Sequence, residues 1–178
     1  MDFSELVKIR QSDRKYEKRP VEHDKIQQCI ETARLSPSSN NSQPWKFIIV
    51  ESPEKKEKIN SPASGAGSIN KFVQEAPIVV AVVQERQAIL SKASSIFQQK
   101  DYSQIDIGIA VNQFCLQARD LGLGTCILGW FNEKKVKEIL DIPKSKRVPL
   151  LIVVGYPASP TREKKRKPTN EMSSWDSY

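Results

Sequence analysis

The 178 residues predict a single domain that mixes helices with strands. Three observations lead there. Four short apolar, β-rich runs lie far apart in the chain: Lys46 to Val50, Pro77 to Val83, Thr125 to Trp130 and Val148 to Val154. The segments between them carry apolar residues at helical spacing, the longest from about Tyr102 to Leu121. No repeat, low-complexity tract or linker divides the chain, so residues 1–178 read as one unit, with a polar tail from about 160.

Each element has its own signal. Phe3, Leu6 and Val7 share a helical face and predict a short first helix. Ile26, Cys29, Ile30 and Ala33 predict a second, starting after Pro20 and ending before Pro37. Ser52 and Pro53 read as N-cap and first position of a charged helix through Ile59, followed by loop from Pro62 to Ser68. Asn70-Lys71-Phe72 leads towards the second strand, whose unbroken apolar run predicts cover on both faces. Gln84 to Lys100 is polar, with weak helical or loop character, and is expected to be the mobile part of the chain.

The long helix has too many apolar directions for one face. Ile105, Ile109, Asn112, Leu116 and Arg119 form a stripe, and Ile107, Val111, Phe114, Cys115 and Ala118 lie beside it, which predicts burial on more than one side. Gly108 and Ala110 leave room for another helix, and Gly122 is the expected stop. Asn132 is the expected cap of a helix from Glu133 to Leu140, ended by Pro143. Pro149 places the last strand at an edge or marks an early strand position.

Composition narrows the function. The net charge is +7 and the pI about 9.3, which favours anionic partners such as phosphorylated ligands and nucleotides. No zinc finger or aromatic-interleaved basic patch appears, so nucleic acid is not an expected partner. No apolar run reaches membrane-span length, and the N-terminus lacks a signal-peptide core, so no membrane association is expected and the setting is cytoplasmic. His23 is the only histidine and reads as a surface residue; Cys29, Cys115 and Cys126 read as buried thiols. A metal site or a histidine-based triad is therefore not expected. Neither a Gly-x-Gly-x-x-Gly turn nor a Walker loop is present.

Two stretches carry chemistry. From Arg34 to Trp45 the chain holds seven small polar or amide side chains, six of them between Pro37 and Pro44. The prolines fix their own φ and push their predecessors out of the α region, which predicts a stiff, extended ribbon of hydrogen-bonding groups for a flat polar ligand. Read alone, it also fits an ordinary helix-to-strand loop. The second stretch, Arg10-Gln-Ser-Asp-Arg14-Lys15, sets cations around a hydroxyl and is compatible with phosphate. Read alone, it also fits a solvated basic turn.

The order of these pieces resembles the FMN-dependent nitroreductase family. The resemblance rests on Arg10-Gln-Ser-Asp-Arg14, on Ala33-Arg34-Leu-Ser-Pro-Ser-Ser-Asn-Asn-Ser-Gln-Pro-Trp45, on Ala76-Pro77, on Asp106-Ile-Gly-Ile-Ala, on Ala118-Arg-Asp-Leu-Gly-Leu-Gly124, on Ile139-Leu-Asp-Ile-Pro143, on Val154-Gly-Tyr-Pro157 and on Arg166-Lys-Pro168. It covers roughly Phe3 to Glu171. It implies an α+β fold with a central, mostly antiparallel sheet flanked by helices. It also implies an intertwined homodimer, with an FMN site at the interface and the tail from about 160 exchanged onto the partner.

The same resemblance implies the site. Arg10, Ser12 and Arg14 match the N-terminal FMN positions, with Gln11 among them contributing backbone contacts. Pro37, Ser38 and Ser39, with Asn41 beside them, match the segment that meets the same flavin from the other subunit. Asn70 falls near the flavin's pyrimidine edge. Ile127, Leu128 and Gly129 match the stretch along the isoalloxazine ring, where the Gly129 N–H is the candidate donor to N5. Lys164 and Arg166 match the tail's phosphate ligands. The implied activity is hydride transfer from NAD(P)H through flavin N5 to nitroaromatics, quinones or similar acceptors in ping-pong order, with no catalytic side chain. The polar Gln84 to Lys100 segment implies a more open site than larger family members have. Three other readings stand beside this one: another FMN reaction on the same fold, a flavin-binding or sensory protein with little turnover, and a basic nucleic-acid-binding domain built on Lys164 to Lys167.

Overall fold

Two apolar faces on one sheet organise the chain. The computed structural model describes residues 1–65, 67, 69–85 and 101–178. Within them run helix α1 (Phe3–Ile9), α2 (His23–Arg34), strand β1 (Trp45–Val50), α3 (Pro53–Ser64), β2 (Ile78–Gln84), α4 (Tyr102–Asp120), β3 (Gly124–Leu128), α5 (Glu133–Ile139) and β4 (Arg147–Gly155). The strands form an antiparallel sheet in the order β1-β2-β4-β3. The fold is α+β, as the resemblance implies. The expected polar excursion between the second strand and the long helix falls mainly on residues 86–100, outside the described residues.

The unbroken apolar run of β2 explains the layering. Side chains alternate across a strand, and here both faces are covered. Ile78, Val80 and Val82 join Ile152 and Val154 against α2 and α4, where Ile107, Val111, Phe114, Cys115, Ile26, Cys29 and Ala33 pack. Val79, Ala81 and Val83 join Leu151 and Val153 against Ile59 and Ala63 of α3 and Val136 of α5. Phe47 of β1 stacks on Phe114 at 5.7 Å between centroids. All three thiols are free and buried.

Several ends are set by local chemistry. The long helix closes at Gly122 (φ 79°), where Leu123 N–H donates to Ala118 O at 2.8 Å and Gly122 N–H to Arg119 O at 3.0 Å, the paired bonds of a Schellman stop. Helix α5 is capped by Asn132, whose side chain accepts from Lys135 N at 3.1 Å. It ends on Asp141 in the left-handed region (φ 55°), two residues before Pro143, and Ile142 N–H donates back to Lys137 O at 2.9 Å. Pro149 lies where the β2–β4 register shifts between Val82 and Gln84, beyond the last β3 pair, so an inner strand tolerates it.

The end of α3 departs from expectation, whereas Ser52 and Pro53 take the N-cap and first helical positions as expected. Helix α3 continues through Pro62 to Ser64, because Pro62 sits in the buried last turns rather than opening a loop. Ser52 precedes it without a side-chain cap; its carbonyl accepts from Lys56 N at 2.8 Å. Asn70 to Phe72 enters a short 3-10 turn, Lys71–Gln74, before β2 begins at Ile78. Among the described residues no helix is long and apolar enough to cross a membrane.

Lys56 is the one buried lysine among the described residues. Its Nζ donates to Asn60 Oδ1 at 2.8 Å and Val73 O at 2.6 Å, tying α3 to the turn before β2. Burial pulls its pKa down from 10.5 to about 8. The folded state therefore gives up this proton first, and the Lys56 contribution to stability rises as pH climbs from about 8 towards 10.5. Buried thiols pull the opposite way above their ordinary range, since burial raises Cys29 to about 12 and Cys115 to about 11. The measurement is thus a difference: the melting temperature of Lys56→Met minus wild type should fall between pH 7 and pH 10, by the equivalent of about 3 kcal/mol at most. A difference independent of pH would show that Lys56 stays charged in the fold.

Candidate cofactor site

The N-terminal segment after α1 extends the sheet beyond its β3 edge. Asp13 N–H donates to Thr125 O at 2.9 Å, and Ser12 pairs in parallel with Thr125. Tyr16 then pairs with Pro157, Glu17 N–H donates to Tyr156 O at 2.9 Å, and Ala158 N–H to Lys15 O at 3.0 Å. The facing pair Gly124 and Gly155 makes room for this packing. A Cβ on Gly124 would stand 2.7 Å from Asp13 Oδ2, and one on Gly155 would stand 2.9 Å from Tyr16 Cδ1.

This docking collects charge. Arg10, Gln11, Ser12 and Arg14 line one pocket of about 360 Å³ together with Arg162, Lys164 and Arg166 from the tail. Among the described residues, none of Arg10, Arg14, Lys164 or Arg166 is ion-paired to a carboxylate. Burial lowers the pKa of Lys164, and the charges of Arg10 and Arg166 push it further down. Lys164 also donates to Val7 O. Four crowded cations around a serine hydroxyl suit a phosphate monoester.

Gln11, expected to contribute through its backbone, also has a part for its side chain. Its side chain is buried and pins the tail. Nε2 donates to Asp13 Oδ1 at 2.8 Å and Pro160 O at 3.2 Å, while Oε1 accepts from Arg162 N at 3.0 Å. Arg162 Nη2 donates to Ser12 O at 2.9 Å, and Arg119 Nη2 to Thr161 Oγ1 at 2.7 Å. The chain thus holds the tail's first residues itself, and the fully exposed part begins near 165. Asp13 is buried beneath the pocket; burial raises its carboxyl, opposed by the Gln11 hydrogen bond and the charges of Arg119 and Arg162.

The edge strand continues from this pocket. Ile127 is exposed on β3, Leu128 is buried in the α3 side of the core, and Gly129 is exposed with open space at its Cα. Only the backbone of Leu128 is therefore available to a ligand. Arg14 approaches the Phe72 ring at 6.0 Å, linking the pocket to the turn that holds Asn70. Asn70 Nδ2 donates to Trp130 O at 3.1 Å, which ties that amide to the loop after β3.

Pro37, Ser38, Ser39 and Asn41 lie apart from this pocket's lining. The expected extended ribbon turns instead: Ser39–Asn41 form a 3-10 turn, and Asn40, Asn41 and Gln43 have φ of 49°, 52° and 45°. Asparagine tolerates that region better than most residues. Gln43 Nε2 holds Asn41 O and Oδ1, and Gln43 N–H donates to Ser38 Oγ at 3.0 Å. Buried Asp106, in the second turn of α4, accepts from Ser39 N at 3.1 and 3.2 Å.

Comparison with known proteins identifies this arrangement. Residues 7–156 match the Nitroreductase family. The chain belongs to that family. A solved nitroreductase family protein from Clostridium novyi NT is 33% identical, superposes with a TM-score of 0.76 and covers 88% of this chain and 86% of its own. An FMN-dependent nitroreductase from Clostridium difficile R20291 is 25% identical with a TM-score of 0.77, over 97% and 98% of the two chains. A Bacillus subtilis FMN reductase [NAD(P)H] is 26% identical over 94% of this chain and 70% of the relative. These likenesses place the chain among NAD(P)H-linked oxidoreductases.

Three supporting residues around the site, Arg162, Asp13 and Asp106, have no role assigned from the sequence. Arg162 shares its spacing with Lys164 and Arg166, and that alternation was its only signal. Asp13 is the lone acid in the cationic Arg10 to Lys15 stretch, and Asp106 is an acid in the second turn of an apolar helix; both lie inside the matched motifs. Gln11→Ala should loosen the tail and leave Asp13 Oδ1 without its partner, costing about 1–3 kcal/mol. Thermal unfolding and trypsin cleavage between 162 and 167 read the two effects; an unchanged melting temperature and cleavage rate would contradict the assignment.

Proposed function

We propose that this protein is an NAD(P)H-dependent oxidoreductase holding FMN with its phosphate in the Arg10–Arg166 pocket and its ring along the β3 edge. The single observation that carries the reading is the convergence of Arg10, Ser12, Arg14, Lys164 and Arg166 on one pocket beside an exposed strand edge. Arg10, Arg14, Lys164 and Arg166 hold the phosphate, and Ser12 adds a neutral donor. Ile127 and the backbone of Leu128 and Gly129 lie along the ring, with the Gly129 N–H as the donor towards N5.

FMN, when bound, would supply the redox chemistry, hydride transfer through N5 from NAD(P)H to a nitroaromatic, quinone or similar acceptor. Donor and acceptor would use the same flavin in turn, which is a ping-pong order. No side-chain nucleophile or dedicated acid is needed, in keeping with buried thiols and a single exposed histidine.

The site is completed by a second copy of the chain. The outer face of α4 exposes Ile105, Gly108, Ile109 and Asn112, and the tail exposes Met172, Trp175 and Tyr178. Such uncovered apolar surface suits a homodimer in which α4 packs on its mate and the tail end wraps the partner. The Pro37, Ser38, Ser39 and Asn41 segment then reaches the partner's pocket, held in place by Asp106.

The purified protein should show a flavin spectrum that bleaches with NADH or NADPH without oxygen and returns on adding a nitroaromatic or quinone. Colourless protein that takes up no added FMN would overturn the reading. Arg10→Ala and Arg166→Ala should each weaken FMN binding by about 10- to 100-fold in a fluorescence titration, the loss of one charge-assisted hydrogen bond. Unchanged affinity in both would place the phosphate elsewhere. Sedimentation should give a dimer that Ile109→Glu dissociates; a wild-type monomer would contradict the shared site.

A further inference from the structure

We propose that the cleft beside Gly129 is the subsite for the flat ring of an aromatic acceptor, with the Trp130 indole as its stacking wall. The inference rests on the FMN reading above. The cleft measures about 560 Å³ and is lined in part by Ser61, Gly65, Gly129, Trp130, Glu133 and Lys135. Gly129 belongs both to it and to the edge that faces the ring, so a group in the cleft is next to the place where hydride leaves.

Trp130 is 64% exposed, an unusual position for the largest side chain. It is nonetheless held firmly from behind. A Cβ on Gly65 would stand 2.7 Å from Trp130 Cδ1 and 2.9 Å from Trp130 O, so the indole lies directly against bare backbone. Gly65 has φ 73°, a conformation that disfavours any replacement. Trp130 O accepts from Asn70 Nδ2 at 3.1 Å, and two residues on, Asn132 N–H donates to Pro62 O at 2.9 Å. The loop carrying the indole is thus fastened to the end of α3 on one side and to the turn before β2 on the other. A fastened, exposed aromatic face is preorganised for offset stacking on another ring.

Charge decides which substrate takes this place. The cleft holds one cation, Lys135, and one carboxylate, Glu133. Glu133 is engaged by Arg147 Nε at 2.9 Å and Val148 N at 2.8 Å. No cation excess is present to receive the pyrophosphate of a dinucleotide, in contrast with the Arg10–Arg166 pocket. A compact, uncharged ring fits: the indole offers a face, while Ser61 and Lys135 offer donors for nitro or carbonyl oxygens.

The test uses the FMN-loaded protein with Trp130→Ala and Trp130→Phe, and with nitrobenzene and p-benzoquinone as acceptors. Flavin content per chain and the rate of flavin reduction by NAD(P)H should stay within about twofold of wild type, while the acceptor KM rises about tenfold in Trp130→Ala and largely recovers in Trp130→Phe. Without reductant, nitrobenzene should quench wild-type tryptophan emission saturably, and the saturable component should vanish in Trp130→Phe. An unchanged acceptor KM with purely linear quenching would overturn the subsite. So would slowed reduction by NAD(P)H, which would assign the cleft to the donor, or lost FMN, which would make Trp130 a cofactor-holding residue. Wild-type protein without FMN sinks both readings, whereas a reducible flavin with an unchanged acceptor KM sinks only this one.

Discussion

The site depends on the docking of residues 10–17 against the ends of β3 and β4. That segment has no element of its own. It is fixed by backbone pairing with Thr125 and Tyr156 and by two side chains, Asp13 and Tyr16, that occupy space left by Gly124 and Gly155. Tyr16 OH donates to Asp13 O at 2.7 Å, closing the segment on itself. Gln11 then joins the tail to it. Without this docking, the guanidinium groups of Arg10 and Arg14 and the cations of the tail would be scattered over a basic surface. With it, their mutual repulsion is concentrated in one place, and a dianion is the natural relief.

The sheet supports this arrangement because both of its faces are filled. The α2–α4 layer fixes the start of α4, and with it the Asp106 carboxylate that holds the Ser39 turn. The α3–α5 layer fixes the β3–α5 loop, on which Trp130 sits. What the single chain leaves uncovered is equally informative: one face of α4 and the end of the tail. A cofactor pocket on one edge, a polar turn held at a distance from it, and apolar surface in between are the features on which the proposed homodimer rests.

Much of this was legible in the sequence, for definite reasons. Periodicity located α2 and α4, because their apolar residues recur at helical spacing. The β2 run announced cover on both faces, which the alternating contacts of Ile78 to Val83 bear out. Gly122 and Asn132 act as the caps their identities suggest. The reading failed where tertiary packing overrides a local signal. Pro62 sits inside α3, since burial of that turn outweighs the lost hydrogen bond. Asp141, with no glycine to announce it, takes the left-handed position that ends α5. Within the site, the sequence announced Arg10, Ser12, Arg14, Lys164 and Arg166, which the fold brings to one pocket, but not the side-chain bonds by which Gln11 holds the tail. Asp13, Asp106 and Arg162 act through contacts across 67 to 151 positions of sequence, which no local pattern reveals.

The central claim is that the Arg10–Arg166 pocket holds a phosphate. Its most direct test compares the affinities of FMN and riboflavin for wild-type protein and for Arg10→Ala/Arg166→Ala. The two ligands differ only in that phosphate. The account predicts that wild type prefers FMN by about 100-fold or more, as expected for several charge-assisted hydrogen bonds, and that the double variant loses most of the preference while still binding riboflavin like wild type. Equal affinity of wild type for the two flavins, or a preference that survives the double substitution, would contradict it.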